Sequence, residues 1–146
     1  IIVVIPCFDE PDLITSLQSL NNCDLPHCSV EVIVMLNAAK HHPTHIHEQN
    51  NKTKLDFIEF KNQLTSEMKF HLIENVDLPK KHAGVGLARK IGMDEAVARF
   101  DEINKDGIIV CFDADAMVDK NYFDAIEKHF EKFPTTLGCP LHYKHP

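Results

Sequence analysis

Short apolar runs, most of them rich in β-branched residues, recur along the chain. They occupy residues 1–5, 30–36, 70–73 and 108–112, and the stretch 136–141 completes the series. Apolar runs of this length without polar alternation are typical of strands buried on both faces, as in a parallel sheet. The pattern therefore predicts five strands, and Pro6 closes the first of them.

Between these runs, apolar or small residues recur every three or four positions, which is the period of one face of a helix. Four helices are predicted, marked in turn by Leu13, Ile14, Leu17 and Leu20; by Phe57, Phe60, Leu64 and Met68; by Ala88, Gly92 and Ala96; and by Phe123, Ile126, Phe130 and Phe133. The first helix is expected to begin near Asp12, and Asp119 is the expected N-cap of the fourth. Small residues on the third would let it lie close to a sheet. The polar stretch 37–53 has no clear period and is interpreted as a loop.

Strands that alternate with helices predict an α/β fold, here a Rossmann-like, mostly parallel sheet with helices on both faces. The length of 146 residues favours a single domain over residues 1–146. Right-handed crossovers place successive strands outward from the first until the strand order reverses. If the fourth strand returns beside the first, a crevice opens between their carboxyl ends, where ligands of such sheets bind.

Polar clusters follow the first and the fourth predicted strands. Residues 6–10 (PCFDE) follow the first, and residues 113–116 (DADA) follow the fourth. Two neighbouring carboxylates, Asp113 and Asp115, are suited to hold Mg²⁺ or Mn²⁺ through oxygen. Such a cation can bind diphosphate oxygens and neutralise the charge that builds on a departing nucleotide. The alternative is a strand-end turn with N-cap carboxylates, since a D-x-D alone is a weak motif.

Three segments together resemble the family 2 glycosyltransferases, which have the GT-A fold. Residues 3–10 (VVIPCFDE) resemble the V-x-I-P-x-[YF]-N-E start of that family, residues 84–92 (GVGLARKIG) resemble its G-x-x-x-A-R-N-x-G segment, and residues 112–115 (FDAD) resemble its D-x-D strand end. Their order and spacing agree over nearly the whole chain. The resemblance implies a GT-A-type nucleotide-diphospho-sugar transferase fold, of which this chain is the N-terminal, nucleotide-sugar-binding portion.

The resemblance also implies an activity: metal-dependent, inverting transfer of a sugar from a nucleotide-diphosphate-sugar donor to a glycan, lipid or protein acceptor. The donor would be bound by Pro6, Phe8, Glu10, Asn37, Arg89 and Asp113, and the metal, Mn²⁺ or Mg²⁺, by Asp113 and Asp115. Phe8 and Glu10 would face the base and the ribose. In the family the catalytic base lies on a later segment, so we expect it beyond residue 146.

Structural roles are open for the same side chains. Phe8 can be a core residue, Glu10 can cap the first helix, and Arg89 can be a surface ion-pair partner. Asn37 stands near the place where the family often has an Asp-Asp-Gly-Ser-like turn whose acid reads the base. An amide can still hydrogen-bond a base edge, so this departure bears on which nucleotide is bound.

Composition narrows the function classes. The formal net charge of -7 argues against broad nucleic-acid binding, although a bound divalent cation still permits a nucleotide ligand. The five cysteines form no C-x-x-C pair, and we expect reduced thiols in a cytoplasmic protein. No apolar stretch is long enough to span a bilayer, so membrane contact is expected only through segments outside this sequence.

His41, His42, His45 and His47 form a cluster, which we interpret as part of a polar loop rather than a zinc site.

Two other functions compete with sugar transfer. A haloacid-dehalogenase-like phosphatase also has an apolar strand that ends in D-x-D, with the first Asp as nucleophile. That strand normally opens the phosphatase domain, whereas here it is the fourth.

A non-catalytic nucleotide-binding module is the second alternative. A phosphatase would hydrolyse a generic phosphate ester, and a binding module would bind nucleotide without turnover.

Overall fold

The computed structural model describes residues 1–78 and 84–141, in which strands and helices alternate along the chain. The strands are β1 (Ile2–Cys7), β2 (Glu31–Ala39), β3 (Lys69–Leu78) and β4 (Ile109–Cys111). The helices are α1 (Leu13–Asn21), α2 (Thr44–Gln63), α3 (Val85–Glu102) and α4 (Tyr122–Lys132). Within these described ranges, no helix combines the length and the apolar character that crossing a bilayer requires.

The four strands form one parallel sheet in the order β3-β2-β1-β4. Ile2 of β1 is paired with Glu31 of β2 on one side and with Ile109 of β4 on the other. The fourth strand has therefore returned beside the first, and the strand order reverses between them. In a sheet of this kind the crevice at the carboxyl ends of those two strands is the usual ligand site.

The two faces of the sheet bury separate apolar clusters, because successive strand residues point to opposite faces. Val3 and Ile5 belong to one cluster, whereas Ile2 and Val4 belong to the other. The helices contribute Leu17 of α1, Phe57 of α2 and Phe123 of α4 to the first cluster, and Ala88 and Ala96 of α3 to the second. Helices on both faces of a parallel sheet confirm the predicted α/β fold.

Gly92 explains how closely α3 lies on the sheet. A Cβ atom at this position would overlap Cγ1 of Val4 and would lie 2.8 Å from Cγ of Met35. Together with the buried Ala88 and Ala96, Gly92 gives α3 a flat stripe of small residues against β1 and β2. The close approach predicted from these three residues is therefore present.

The prediction of a loop over residues 37–53 is wrong. β2 continues to Ala39, and α2 begins at Thr44. The buried positions of α2 are Ile46, Asn50, Thr53, Phe57 and Phe60. Their spacing is helical, but two of the five are polar. A helical period of apolar residues is therefore visible only in the second half of the helix.

The predicted fifth strand over residues 136–141 is also wrong, since this stretch pairs with no strand of the described chain. It lines a groove of about 970 Å³ together with β4. Pro140 has no N–H to donate to a ladder, and Gly138 weakens a strand further. The N–H of Thr136 instead donates to the carbonyl of Phe133 at 3.0 Å, in a turn after α4.

Two helix boundaries differ from the predicted ones. α2 ends at Gln63, so that Leu64 and Met68 lie beyond it. α4 has Asn121 rather than Asp119 as its N-cap, because the Asp119 carbonyl accepts the N–H of Tyr122 at 3.1 Å in the turn that precedes the helix.

Candidate functional site

The direct pairing of β1 with β4 places both predicted polar clusters at one edge of the sheet. Phe8 and Glu10 follow the end of β1, and Asp113 and Asp115 follow β4 across the buried Phe112. These four site residues are all partly exposed. Pro6, the remaining residue predicted near this crevice from β1, is a buried strand residue.

The D-x-D loop is held by its small residues and by α1. Ala114 and Ala116 are buried, whereas the two aspartates that alternate with them are partly exposed. The hydroxyl of Ser16, itself buried, donates to the Ala114 carbonyl at 2.7 Å. The N–H of Ala116 donates to the Asp113 carbonyl at 3.1 Å, which closes a turn. The backbone therefore has a defined shape while both carboxylates reach the accessible side.

Arg89, in the second turn of α3, forms an ion pair with Asp113. Its Nη2 lies 2.8 Å from Asp113 Oδ1, and the two side chains are 35% and 47% exposed. The Nε of Arg89 is buried and has no hydrogen-bond partner among the described residues. The ion-pair role that the sequence left open for Arg89 is thus present, and it puts a guanidinium group within the predicted nucleotide site.

Glu10 caps α1. Its Oε1 accepts the backbone N–H of Asp12 at 3.0 Å, whereas Asp12, the N-cap residue of α1, makes no side-chain capping bond itself. An acidic group near the start of a helix is favoured by the helix dipole. The structural role considered for Glu10 is therefore observed, and its contact with the ribose stays a prediction.

Phe8 packs edge-on against His42, which the sequence analysis named only as a member of the histidine cluster. The ring centroids are 4.9 Å apart at an interplanar angle of 64°, and both side chains are partly exposed. The Nδ1 of His42 lies 3.0 Å from the Ala39 backbone N–H and accepts its hydrogen bond, which leaves Nε2 as the protonated ring nitrogen. Nothing in the sequence distinguishes His42 from the neighbouring histidines, because its contact with Phe8 depends on its position just after the end of β2.

Asn37, predicted to read the base, is a buried residue of β2 with 1% exposure. Its carbonyl accepts a hydrogen bond from the side-chain amide of Asn50 at 3.1 Å. A direct contact between Asn37 and a base stays a prediction. It requires that the buried side chain of Asn37 become accessible at the end of β2.

Asn50 and Thr53 were missed by the sequence reasoning, although both contact the site. Asn50 accepts the N–H of Asp9, and Thr53 donates to the carbonyl of Glu10. The signal that would have found them is helical spacing with Ile46, Phe57 and Phe60, which marks two polar residues on the buried face of a helix.

Cys7 lies next to the site but is unsuited to nucleophilic chemistry. Burial raises the pKa of its thiol to about 12, and the nearby Glu10 carboxylate acts in the same direction. The thiol is therefore neutral at physiological pH, and only a thiolate is a strong nucleophile. None of the five cysteines forms a disulfide.

The donor set suits a hard cation that also binds a ligand. Asp113 and Asp115 offer carboxylate oxygens, and Mg²⁺ is commonly held by one or two carboxylates together with substrate phosphates. Residues 1–78 and 84–141 contain no group of three or more His, Cys, Asp or Glu side chains that would hold a metal by themselves. The histidine cluster likewise forms no such group.

Fold and site together define an α/β protein with charged side chains at the switch point of its parallel sheet, the place where ligands of such sheets usually bind. The chain has the fold of the Staphylococcus aureus glycosyltransferase TarS. The crystal structure of TarS residues 1–349 matches 96% of this chain with a TM-score of 0.59 at 16% sequence identity. The structure of the same TarS segment in complex with UDP-GlcNAc matches 96% of the chain with a TM-score of 0.56 at 16% identity.

The match covers only part of these proteins. The chain spans 38% of the TarS 1–349 structure, 36% of its complex with UDP-GlcNAc and 23% of a longer TarS structure. No protein-family model matches the sequence, and no curated protein is significantly similar to it.

Proposed function

We propose that this chain is the donor-binding portion of a glycosyltransferase similar to family 2, which transfers a sugar from a nucleotide-diphosphate-sugar with inversion. The observation that carries the proposal is the ion pair of Arg89 with Asp113 after β4, at the switch point where β4 returns beside β1. The fold is shared with TarS, which has been crystallised with UDP and with UDP-GlcNAc. UDP-sugars are therefore the donors to test first.

The chemistry of the site residues supports this donor class. A diphosphate carries negative charge that a guanidinium group binds well, because its N–H groups match phosphate oxygens. Arg89 supplies that group beside Asp113. Asp113 and Asp115 would hold Mg²⁺ or Mn²⁺, which supplies charge neutralisation for the leaving nucleotide diphosphate. Phe8 and His42 present aromatic rings at the neighbouring strand ends, where a base and ribose can pack.

The acceptor-activating base is expected on a segment that follows this chain. This chain matches only 38% of the TarS 1–349 structure. A complete protein of this type therefore has room for such a segment. None of the five cysteines forms a disulfide, which fits a reducing compartment, so the proposal includes a cytosolic location. The acceptor is a glycan, a lipid or a protein.

The test is a thermal-shift panel of nucleoside diphosphates and nucleotide-sugars, each measured with and without Mn²⁺. A ligand that binds only the native state must raise the melting temperature. We expect a rise with at least one diphosphate that depends on Mn²⁺. A panel without any shift, confirmed by calorimetry, would contradict the proposal. Hydrolysis of p-nitrophenyl phosphate would instead favour a haloacid-dehalogenase-like phosphatase, and nucleotide binding without turnover by the complete protein would favour a binding module.

A further inference from the structure

The loop between β1 and α1, residues 8–10, is fastened to α2 by its backbone. Asp9 has a φ of 51°, a left-handed conformation that is uncommon for residues other than glycine but tolerated by Asp. Its N–H donates to Oδ1 of Asn50 at 3.1 Å. One residue later, the carbonyl of Glu10 accepts the hydroxyl of Thr53 at 3.0 Å. Two side chains of one helix therefore hold consecutive peptide groups of the loop.

Asn50 connects this loop to the next strand as well. Its Nδ2 donates to the carbonyl of Asn37 at 3.1 Å, near the carboxyl end of β2, which is paired with β1. The side chain thus accepts from the loop after β1 with one atom and donates to β2 with the other. A single amide sets the spacing between the loop and the neighbouring strand end.

Both side chains are almost fully withdrawn from water. Asn50 and Thr53 are each 3% exposed, on the face of α2 that otherwise buries Ile46, Phe57 and Phe60. Buried polar groups destabilise a fold unless they are hydrogen-bonded, and these bonds are available only in the observed loop conformation. Gln49 donates to Thr53 Oγ1 at 3.1 Å, which leaves the hydroxyl proton for Glu10. The polar pair therefore selects one conformation of the loop.

We propose that Asn50 and Thr53 are positioning residues for nucleotide binding, which hold residues 8–10 in the conformation that presents Phe8 and Glu10. The inference rests on the proposed function, since that function assigns Phe8 and Glu10 to the nucleotide. A loop that is ordered before binding spares the ligand the free-energy cost of ordering it. Loss of either anchor should therefore weaken nucleotide affinity more than it weakens the fold.

The experiment compares Thr53→Val, which removes the hydroxyl at nearly constant shape, with Thr53→Ser, which keeps it. Asn50→Ala removes the second anchor. The probe is UDP with Mn²⁺, titrated into the full 146-residue chain by calorimetry. We expect affinity to fall about tenfold in Asn50→Ala and Thr53→Val, the change that corresponds to about 1.4 kcal/mol. Thr53→Ser should stay within about twofold of the wild type, since it keeps the donor.

A second readout follows the loop without any ligand. Hydrogen exchange of a peptide covering residues 8–12 should be faster in Asn50→Ala and Thr53→Val, because the Asp9 N–H and its neighbours lose protection. Phe60→Leu is the matched control, because Phe60 is buried on the same helix and packs edge-on against Phe70 of β3. It should lower the melting temperature while leaving UDP affinity and loop exchange unchanged.

The outcomes separate this inference from the proposed function. If the wild type binds UDP and the two anchor variants bind it equally well, or if Phe60→Leu weakens binding as much as they do, the positioning role is wrong. If the wild type binds no nucleoside diphosphate at all, the proposed function fails, and faster loop exchange in the variants would then assign the anchors to the fold alone.

Discussion

At the scale of single residues, the site combines partly exposed charged side chains with buried small residues that hold the backbone beneath them. Asp113 and Arg89 are paired at 2.8 Å but are 47% and 35% exposed, and ion pairs of this exposure contribute only about 0–1 kcal/mol to stability. Asp113 can therefore exchange Arg89 for another cation at little cost to the fold. The backbone beneath it is more firmly held, since Ser16 and Ala114 form a buried hydrogen bond.

Asp115→Asn is expected to abolish Mn²⁺-dependent nucleotide binding while the fold stays intact. The amide keeps the shape of the side chain but loses the negative charge that attracts a hard cation. Calorimetric titration of UDP with and without Mn²⁺ measures the effect, and the melting temperature reports the fold. Asp101→Asn, the same change on the exposed end of α3, is the control. Unchanged Mn²⁺-dependent affinity in a folded Asp115→Asn protein would remove Asp115 from the metal site.

Two contacts between elements decide how the helices sit around the sheet. On one face, Gly92 lets α3 approach β1 and β2. On the other side, Glu127 of α4 joins the loop between α1 and β2, because its carboxylate accepts the backbone N–H groups of His27 and Cys28, each at 3.0 Å. The first contact depends on side-chain volume and the second on the charge of a carboxylate. A substitution that adds volume tests the first, and one that removes charge tests the second.

Gly92→Ala is expected to destabilise the fold, because the new methyl group would overlap Val4 and Met35. Overpacking of this kind typically costs about 1–3 kcal/mol, which outweighs the gain of about 1 kcal/mol in helix propensity. Gly86→Ala is the matched control, since a Cβ at Gly86 has nothing within 4 Å. The control should raise stability by about 0.4–1 kcal/mol. Urea unfolding of both variants checks the opposite signs, and equal effects would contradict the packing of α3.

Glu127→Gln is expected to lower the melting temperature by roughly 2–4 °C at pH 7 and to flatten its decline in acid. The backbone N–H of His27 is the main cause that lowers the pKa of Glu127, from 4.5 to about 2, against the opposing effect of burial. Because the folded-state pKa lies below the unfolded one, this stability is present above about pH 4.5 and is lost as pH falls toward 2.

The measurement is a series of melting curves from pH 7 to pH 2 for the wild type and the variant. Asp124→Asn on the same helix is the control, since Asp124 forms an ion pair with the exposed Lys128 at 2.8 Å. The control should run parallel to the wild type. A Glu127→Gln curve that is also parallel to the wild type would exclude the carboxylate as the acid-sensitive contact.

At the scale of the whole molecule, the described chain contains the switch point between β1 and β4 and matches only part of a glycosyltransferase of known structure. It spans 38% of the TarS 1–349 structure. The groove of about 970 Å³ along β4 lies at a sheet edge that no described strand covers. Under the proposed function, donor binding and acceptor chemistry should be separable, because the chain matches only part of TarS.

The 146-residue chain alone is expected to bind a nucleotide-sugar donor without transferring the sugar to an acceptor. Without the expected base the acceptor hydroxyl stays protonated, and such a proton transfer is typically worth about 10²–10⁴-fold in rate. Loss of acceptor orientation costs further rate. The check is UDP release from UDP-GlcNAc with Mn²⁺ and a panel of sugar, lipid and peptide acceptors. Efficient acceptor-dependent release would show that a carboxylate within the chain is the base, with Asp119 the first to test.

Local sequence patterns determined most of the elements and the position of the switch point. The apolar run of β1 and the run that ends at Phe112 predicted two buried strands, and both lie in the parallel sheet. Ala88, Gly92 and Ala96 predicted a helix lying close to that sheet. These features are readable because a single segment carries both the period and the residue sizes that determine its burial.

Only the tertiary structure decided how the site is supported. Asn50 and Thr53 interrupt the apolar period of α2 in the sequence, yet they are buried because the backbone of residues 9 and 10 supplies their hydrogen bonds. His42 acquires its contact with Phe8 from the end of β2. Residues 136–141 pair with no strand in the described part of the chain for a related reason, since a strand requires a partner in space as well as a suitable composition. Hydrogen bonds between distant segments depend on which elements become neighbours, and no local pattern in the chain contains that information.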